Sequence, residues 1–214
     1  ELLGRAMQSG RFMFLQKSVE FNRPKATIVI DRDRAGVLGI RMDDLGQELA
    51  TLFGREFGRL DGVLHNASVL GDITPLERYG ADTWDSVMRV NVNSAFYLTQ
   101  ALLPLLRNSD DGRILFTSSS VGRKGRAFWG AYAASKAATE NLSQTLAEEL
   151  ENTSKIRVNT INPGATRTDM RALAYPGEDA EKLKSPEQIV ASYLYLLGPE
   201  GAAINGQSLD AQPR

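Results

Sequence analysis

From Leu60 onward, short apolar runs alternate with long helical patterns, and this alternation constrains the fold more than any single residue does. Val63-Leu64-His65-Asn66, Ile114-Leu115-Phe116-Thr117 and Ile156-Arg157-Val158-Asn159-Thr160-Ile161 read as strands, each close to a glycine, asparagine or serine that ends it. Between them, Asp82 to Arg107 and Trp129 to Glu151 read as helices. Trp84, Met88, Val92 and Phe96 mark an apolar face on the first, and Leu142, Leu146 and Leu150 mark one on the second. Ser185-Pro186-Glu187 is a good helix start, serine as cap and proline in the first turn, with Leu194 and Leu197 on a later apolar face. Strands separated by helices run parallel and are joined by right-handed crossovers, which predicts an α/β fold: a doubly wound parallel sheet in three αβα layers. The ligand site of such a sheet lies beyond the C-terminal ends of its strands.

At 214 residues the chain is expected to form one domain over 1–214. A net charge of -1 provides no field to gather nucleic acid or anionic lipid, so neither is expected as a partner. There is no cysteine and only one histidine, His65, which argues against disulfides, thiolate zinc sites and metal chemistry in general and fits a cytoplasmic setting. No apolar run approaches the roughly 20 residues needed to cross a bilayer, and no signal peptide is visible near Arg5 and Arg11. The segment Asp169 to Ser185, with Pro176-Gly177-Glu178-Asp179 inside it, is long for a connection and reads either as a substrate lid or as a surface loop.

Ala131-Tyr132-Ala133-Ala134-Ser135-Lys136 places a phenol and an ammonium four residues apart on one helix face. A tyrosine works as an acid or base near neutral pH only if its pKa falls by about 3 units, which costs about 4 kcal/mol. A positive charge about 4 Å away, at an effective dielectric of about 20, supplies roughly that much. The pair alone is weak evidence, because a core tyrosine beside a solvated lysine has the same spacing. Its neighbours strengthen it. Ser119 stands at a strand end within Thr117-Ser118-Ser119-Ser120-Val121-Gly122, and Asn91 lies in the preceding helix. Asn66-Ala67-Ser68 ends one strand, and Asn162-Pro163-Gly164-Ala165-Thr166-Arg167-Thr168 ends another.

This ordered set resembles the short-chain dehydrogenase/reductase family over roughly residues 60–212. The resemblance implies a Rossmann-type domain that interconverts a carbonyl and an alcohol of a small-molecule substrate with NAD or NADP. Carried onto this chain, it implies that Tyr132 transfers the proton. Lys136 would lower the Tyr132 pKa and hold the nicotinamide ribose, and Ser119 would bond the reacting oxygen. Asn91 would open its helix and hold a water that passes protons to Lys136. Pro163, Gly164 and Thr168 would run past the nicotinamide, while Asn66, Ala67 and Ser68 would support the central strand beside the adenosine. A homodimer or homotetramer paired through the two long helices is also implied.

Some positions depart from the family pattern. Ser68 stands where the family has glycine, which is tolerable if the backbone there avoids positive φ. His65 stands where asparagine is common and reads as structural, its ring bonded to the backbone. Arg123-Lys124-Gly125-Arg126 with Phe128-Trp129 borders the substrate side, either favouring an anionic or aromatic substrate or forming a solvated loop with two packed rings.

Residues 1–59 are an atypical or incomplete cofactor-binding portion, and 60–214 are the catalytic portion. The family's glycine-rich turn, whose amides hold the pyrophosphate, is not recognisable: Ala35-Gly36-Val37-Leu38-Gly39-Ile40 imitates it about 27 residues before Asn66, too late in the chain. A better alignment takes Ala26 to Asp31 as the second strand and Val37 to Asp43 as the third, with Asp43 or Asp44 near the adenine. Leu2-Leu3-Gly4-Arg5 then approaches the first strand, and Arg11 to Asn22 follows the turn. Asp31 suits NAD, whereas Arg32 and Arg34 suit NADP. Three readings remain open: a dehydrogenase whose sequence here lacks segments, an enzyme with an altered N-terminal half, and a catalytically inactive scaffold that binds a partner.

Overall fold

The computed structural model describes residues 14–20, 23–29 and 42–212. Strands β1 (Phe14–Glu20) and β2 (Arg23–Val29) pair antiparallel, Phe14 opposite Val29 and Glu20 opposite Arg23, as a separate two-stranded sheet. The expected strand from Ala26 to Asp31 is therefore displaced and belongs to a hairpin. Its connection is the physical reason, because two residues can join only antiparallel strands and a parallel crossover needs a dozen or more. The expected third strand also fails at its end, since Met42 and Asp43 begin helix α1 (Met42–Phe57). Most of Arg11 to Asn22, expected to follow the glycine turn, forms β1, and Asp43 and Asp44 lie in the first turn of α1, while Leu2 to Arg5, Asp31, Arg32, Arg34 and the glycine-like segment lie outside the described residues.

The main sheet has four parallel strands in sequential order: β3 (Gly62–His65), β4 (Arg113–Thr117), β5 (Arg157–Asn162) and β6 (Ser208–Asp210). Between β3 and β4 run α2 (Ala81–Met88) and α3 (Ser94–Arg107), and between β4 and β5 run the short α4 (Ser120–Arg123) and the long α5 (Gly130–Glu151). Helices α6 (Asp169–Ala174) and α7 (Pro186–Leu197) lie between β5 and β6. Every residue of β4 is buried, as a strand covered on both faces requires. On one face Ile114, Phe116 and Val158 pack with Ala95 and Leu106 of α3 and with Leu146 and Leu150 of α5. Leu115 and Ile161 face the other way, against Ile189 and Leu196 of α7. Helix α1 packs outside α3. The expected αβα layering over a parallel sheet is present.

Ser185 caps α7 in a reciprocal box with Gln188, and Pro186 opens the helix, as expected. Of its expected apolar face Leu197 packs on the core while Leu194 is exposed, and Ile189 and Leu196 are the buried residues. In α2 and α3 the seam is shifted by one residue, so that Val87, Asn91, Ala95 and Thr99 are buried while Phe96 is exposed. The long connection after β5 is not a bare loop, since it contains α6, capped by Thr168, whose hydroxyl accepts from the Arg171 amide at 3.2 Å. Strand β6, only three residues long, has no sequence signal strong enough to announce it. Among the described residues, no helix is long and apolar enough to cross a membrane.

Candidate active site

A cavity of about 700 Å³ opens beyond the C-terminal ends of β3, β4 and β5, where a parallel sheet offers its ligand site. Asn66, Ala67, Ser68, Ser119, Tyr132, Lys136, Pro163, Gly164 and Thr168 all line it. Of the ten residues given catalytic or cofactor-binding roles, Asn91 is the one that does not, and neither does the basic loop Arg123-Lys124-Gly125-Arg126.

Tyr132 and Lys136 share a face of α5 and are both buried. The Lys136 ammonium donates to the Thr117 carbonyl at 2.8 Å and lies 5.5 Å from the Tyr132 ring centroid. Burial lowers the Lys136 pKa to about 8. Burial also raises the Tyr132 phenol, against opposing contributions from the Ser68 and Ser119 hydroxyls and with a small further rise from Tyr193. The expected lowering by Lys136 is thus reversed. An enclosed phenol loses more solvation on ionising than its surroundings return, and the nearby cation is itself weakened by the same enclosure. Ser68 Oγ lies near enough to favour the phenolate, yet it is buried without a hydrogen-bond partner of good geometry, as is Ser118 Oγ.

Ser119 leaves β4 in extended geometry at the start of α4, and its side chain caps nothing, so the hydroxyl is turned to the Tyr132 phenol, where a reacting oxygen would bond to both. The turn holding it sits directly on the lysine's backbone: a Cβ on Gly122 would lie 2.7 Å from the Lys136 carbonyl carbon. Behind this contact Arg123 donates to Asp210 Oδ1 at 2.8 Å, to Ser208 Oγ at 2.9 Å and to the Leu209 carbonyl at 2.9 Å. Buried Glu140, two turns beyond Tyr132, accepts from Thr160 at 2.8 Å and from Ser208 at 2.9 Å, and also pairs with Arg123 at 3.4 Å. The clasp joins α4, α5, β5 and β6 beneath the site. Spacing along the chain does not reveal it, because Arg123 and Asp210 are far apart in sequence.

Asn91 does open its helix: Arg89–Asn93 form a widened π-type turn, in which the Ser94 amide donates to the Arg89 carbonyl five residues back. Its side chain is committed elsewhere. Oδ1 accepts from the Val69 amide at 2.8 Å, while Nδ2 donates to the Val69 carbonyl and to Ser135 Oγ, both at 2.9 Å. Asn91 therefore ties the segment after β3 to α5. Ser68 in that segment has no positive φ, which is why a serine is tolerated there. Asn66 at its start accepts from Thr117 Oγ1 at 2.8 Å, linking the ends of β3 and β4.

After β5 the chain turns through Gly164 at φ 74°, a conformation that suits glycine. The Gln212 amide donates to the Pro163 carbonyl at 2.8 Å and to the Ala165 carbonyl at 3.1 Å, holding the loop from below. Over the cavity, Met170, Ala174 and Tyr175 pack on Val121, Trp129, Tyr132 and Ala133. The roles of Gln212, Trp129 and Met170 escape a sequence reading, because they depend on how α6 and β6 return to the site. His65 is structural, though its partner is a side chain: Nε2 meets Thr99 Oγ1 at 2.8 Å and the ring stacks on Phe116. Of the two rings after the basic loop only Trp129 packs, edge-on to Tyr132, while Arg126 lies over the Tyr175 ring. Phe128 is exposed at φ 74°.

The residues fit the ribose and nicotinamide end of a dinucleotide. Lys136 spends one of three N–H donors on Thr117, and two remain for ribose hydroxyls. Gly164 and Thr168 border the same space. No cluster of three or more metal-ligating side chains occurs among the described residues.

The chain matches the family profile described as short chain dehydrogenase over residues 39–179. It is 56% identical over 167 residues to the uncharacterized oxidoreductase YciK of Escherichia coli K12, a match covering 78% of this chain and 66% of that protein. It is 32% identical to the 3-oxoacyl-[acyl-carrier-protein] reductase FabG of Vibrio cholerae, over 72% of this chain and 66% of the reductase. The matched region thus spans just under two thirds of these relatives. A short chain dehydrogenase of Escherichia coli CFT073, complexed with NADPH, superposes with a TM-score of 0.78 at 53% identity, over 81% of this chain and 72% of that one.

Proposed function

The chain belongs to the short-chain dehydrogenase family, and from that premise we propose that it interconverts a carbonyl and an alcohol on a small-molecule substrate with NAD or NADP. The observation that carries this reading is the convergence of Ser119, Tyr132 and Lys136 on one cavity at the ends of parallel strands. A similar Shigella flexneri structure complexed with NADP and the NADPH complex above support the phosphorylated form. The domain is read as a single unit over 1–214 with its catalytic portion in 60–214.

When bound, the nicotinamide supplies or accepts the hydride. Lys136 would hold the ribose hydroxyls with its two unspent donors. Pro163, Gly164 and Thr168 would hold the nicotinamide end, and Asn66, Ala67 and Ser68 the adenosine end, of the same cavity. The Ser119 hydroxyl bonds the substrate oxygen where negative charge develops, a fixed donor inside an enclosed cavity. Tyr132, whose phenol burial pushes further toward its protonated form, donates its proton to that oxygen in the reducing direction. The π-type turn at Asn91 leaves its backbone as the part that can hold a water toward Lys136.

NADPH oxidation followed across a panel of aldehydes and ketones tests the reading. Tyr132→Phe should remove turnover while leaving the far-ultraviolet circular dichroism spectrum unchanged. Equal turnover in the two proteins would overturn the assignment of Tyr132.

A further inference from the structure

We propose that Lys136 is a covalent site for small aldehydes and ketones, its amine condensing with a carbonyl held in the Tyr132 cavity to form an imine. Of the lysines whose side chains are described, Lys124, Lys155, Lys182 and Lys184 are exposed and Lys136 alone is buried. It is nonetheless not sealed in, because it lines the cavity. One N–H, bonded to Thr117, fixes the nitrogen, and the rest of the amine is unengaged. Leu70, Trp129 and Met170 form an apolar wall of the same cavity, suited to an alkyl or aryl tail. The titratable groups packed nearby are the phenols of Tyr132 and Tyr193, while Glu140, one turn along α5, is taken up by Arg123, Thr160 and Ser208. Among the described residues no carboxylate holds the ammonium in its charged form.

The nitrogen lone pair adds to the carbonyl carbon, and the carbonyl oxygen takes a proton from the Tyr132 phenol. One of the two protons on nitrogen passes to the hydroxyl so formed, which leaves as water, and the nitrogen then gives its second proton to the Tyr132 phenolate, which restores the phenol and leaves the neutral imine. One water is released and nothing is oxidised or reduced. Only the neutral amine attacks. With burial bringing Lys136 to about 8, its neutral fraction at pH 7 is roughly two hundred times that of an exposed lysine.

Benzaldehyde with cyanoborohydride at pH 7, followed by peptide mass spectrometry, reads this directly by turning each imine into a stable benzylamine. Lys136 should be benzylated at least about tenfold faster than Lys124, Lys155, Lys182 or Lys184, an allowance well inside the difference in neutral fraction. Labelling at Lys136 no faster than at the exposed lysines would overturn the proposal, and the wild-type map needs no variant to give that answer. Lys136→Arg, checked for folding by circular dichroism, should lose the fast label alone. NADPH added beforehand separates this inference from the dehydrogenase reading. Protection of Lys136 supports the cofactor's place beside it, and fast labelling that NADPH does not slow counts against the cofactor while leaving the imine site standing.

Discussion

Tyr132 and Lys136 are both moved by burial toward their uncharged forms, the phenol upward and the amine down to about 8. The consequence is directional. A protonated phenol serves reduction, while alcohol oxidation needs the phenolate. Oxidation is therefore expected to keep rising as pH increases to 9 and beyond, while reduction loses its acid only at higher pH. Initial rates in both directions across a pH series check this. His65 gives a separate pH test of stability, since its enclosed ring has a pKa of about 4, below the 6.5 of an unfolded histidine. Between these values the unfolded chain binds the extra proton. Stability is thus fully present above pH 6.5 and falls as pH drops toward 4, by up to about 3 kcal/mol. Urea midpoints at pH 7 and pH 4.5 should show the loss, and His65→Phe should flatten it. The four-residue spacing of Tyr132 and Lys136 was legible in the sequence because a helix makes it local. The sign of the tyrosine shift was not, because it depends on everything that closes over the ring.

At the level of elements, the site depends on where helices touch. A methyl at Gly122 would strike the Lys136 backbone, so Gly122→Ala should destabilise the fold by about 1–3 kcal/mol, read as a lower urea midpoint. It should also slow turnover, by lifting Ser119 away from Tyr132. Asn91→Ala removes three hydrogen bonds that join the segment after β3 to α5, and about 2–3 kcal/mol of stability should go with them. The same thermal or urea series measures it. The strands and long helices were readable from apolar periodicity. The one-residue shift of the buried seam in α2 and α3 was not, because the buried row carries the polar Asn91 and Thr99 and the small Ala95, which an apolar count passes over in favour of Met88, Val92 and Phe96 beside them. Likewise α6 is only six residues long, and tertiary packing against Trp129 and Tyr132 holds it rather than a strong local pattern.

For the whole molecule, the parallel sheet and its ligand end followed from the order of strands and helices, and the structure places nine of the ten singled-out site residues around one cavity. What sequence order could not show is closure, since side chains far apart along the chain meet only after the sheet has formed. Assembly is a question at this scale too. Phe96 is 45% exposed on α3 and its ring lies beside Tyr97, an apolar surface on one of the two helices proposed to pair between subunits. Phe96→Lys should shift the protein toward monomer in light scattering coupled to gel filtration, while the parent elutes as a dimer or tetramer. One connection also has a consequence in time. The loop through Pro163 and Gly164 is held by Gln212, and the Ser119 turn by Arg123 gripping β6. On a ribosome, Tyr132, Lys136 and Ser119 emerge well before those partners. A nascent chain can therefore carry all the chemistry of the site and still be unable to set its geometry until β6 arrives and locks it.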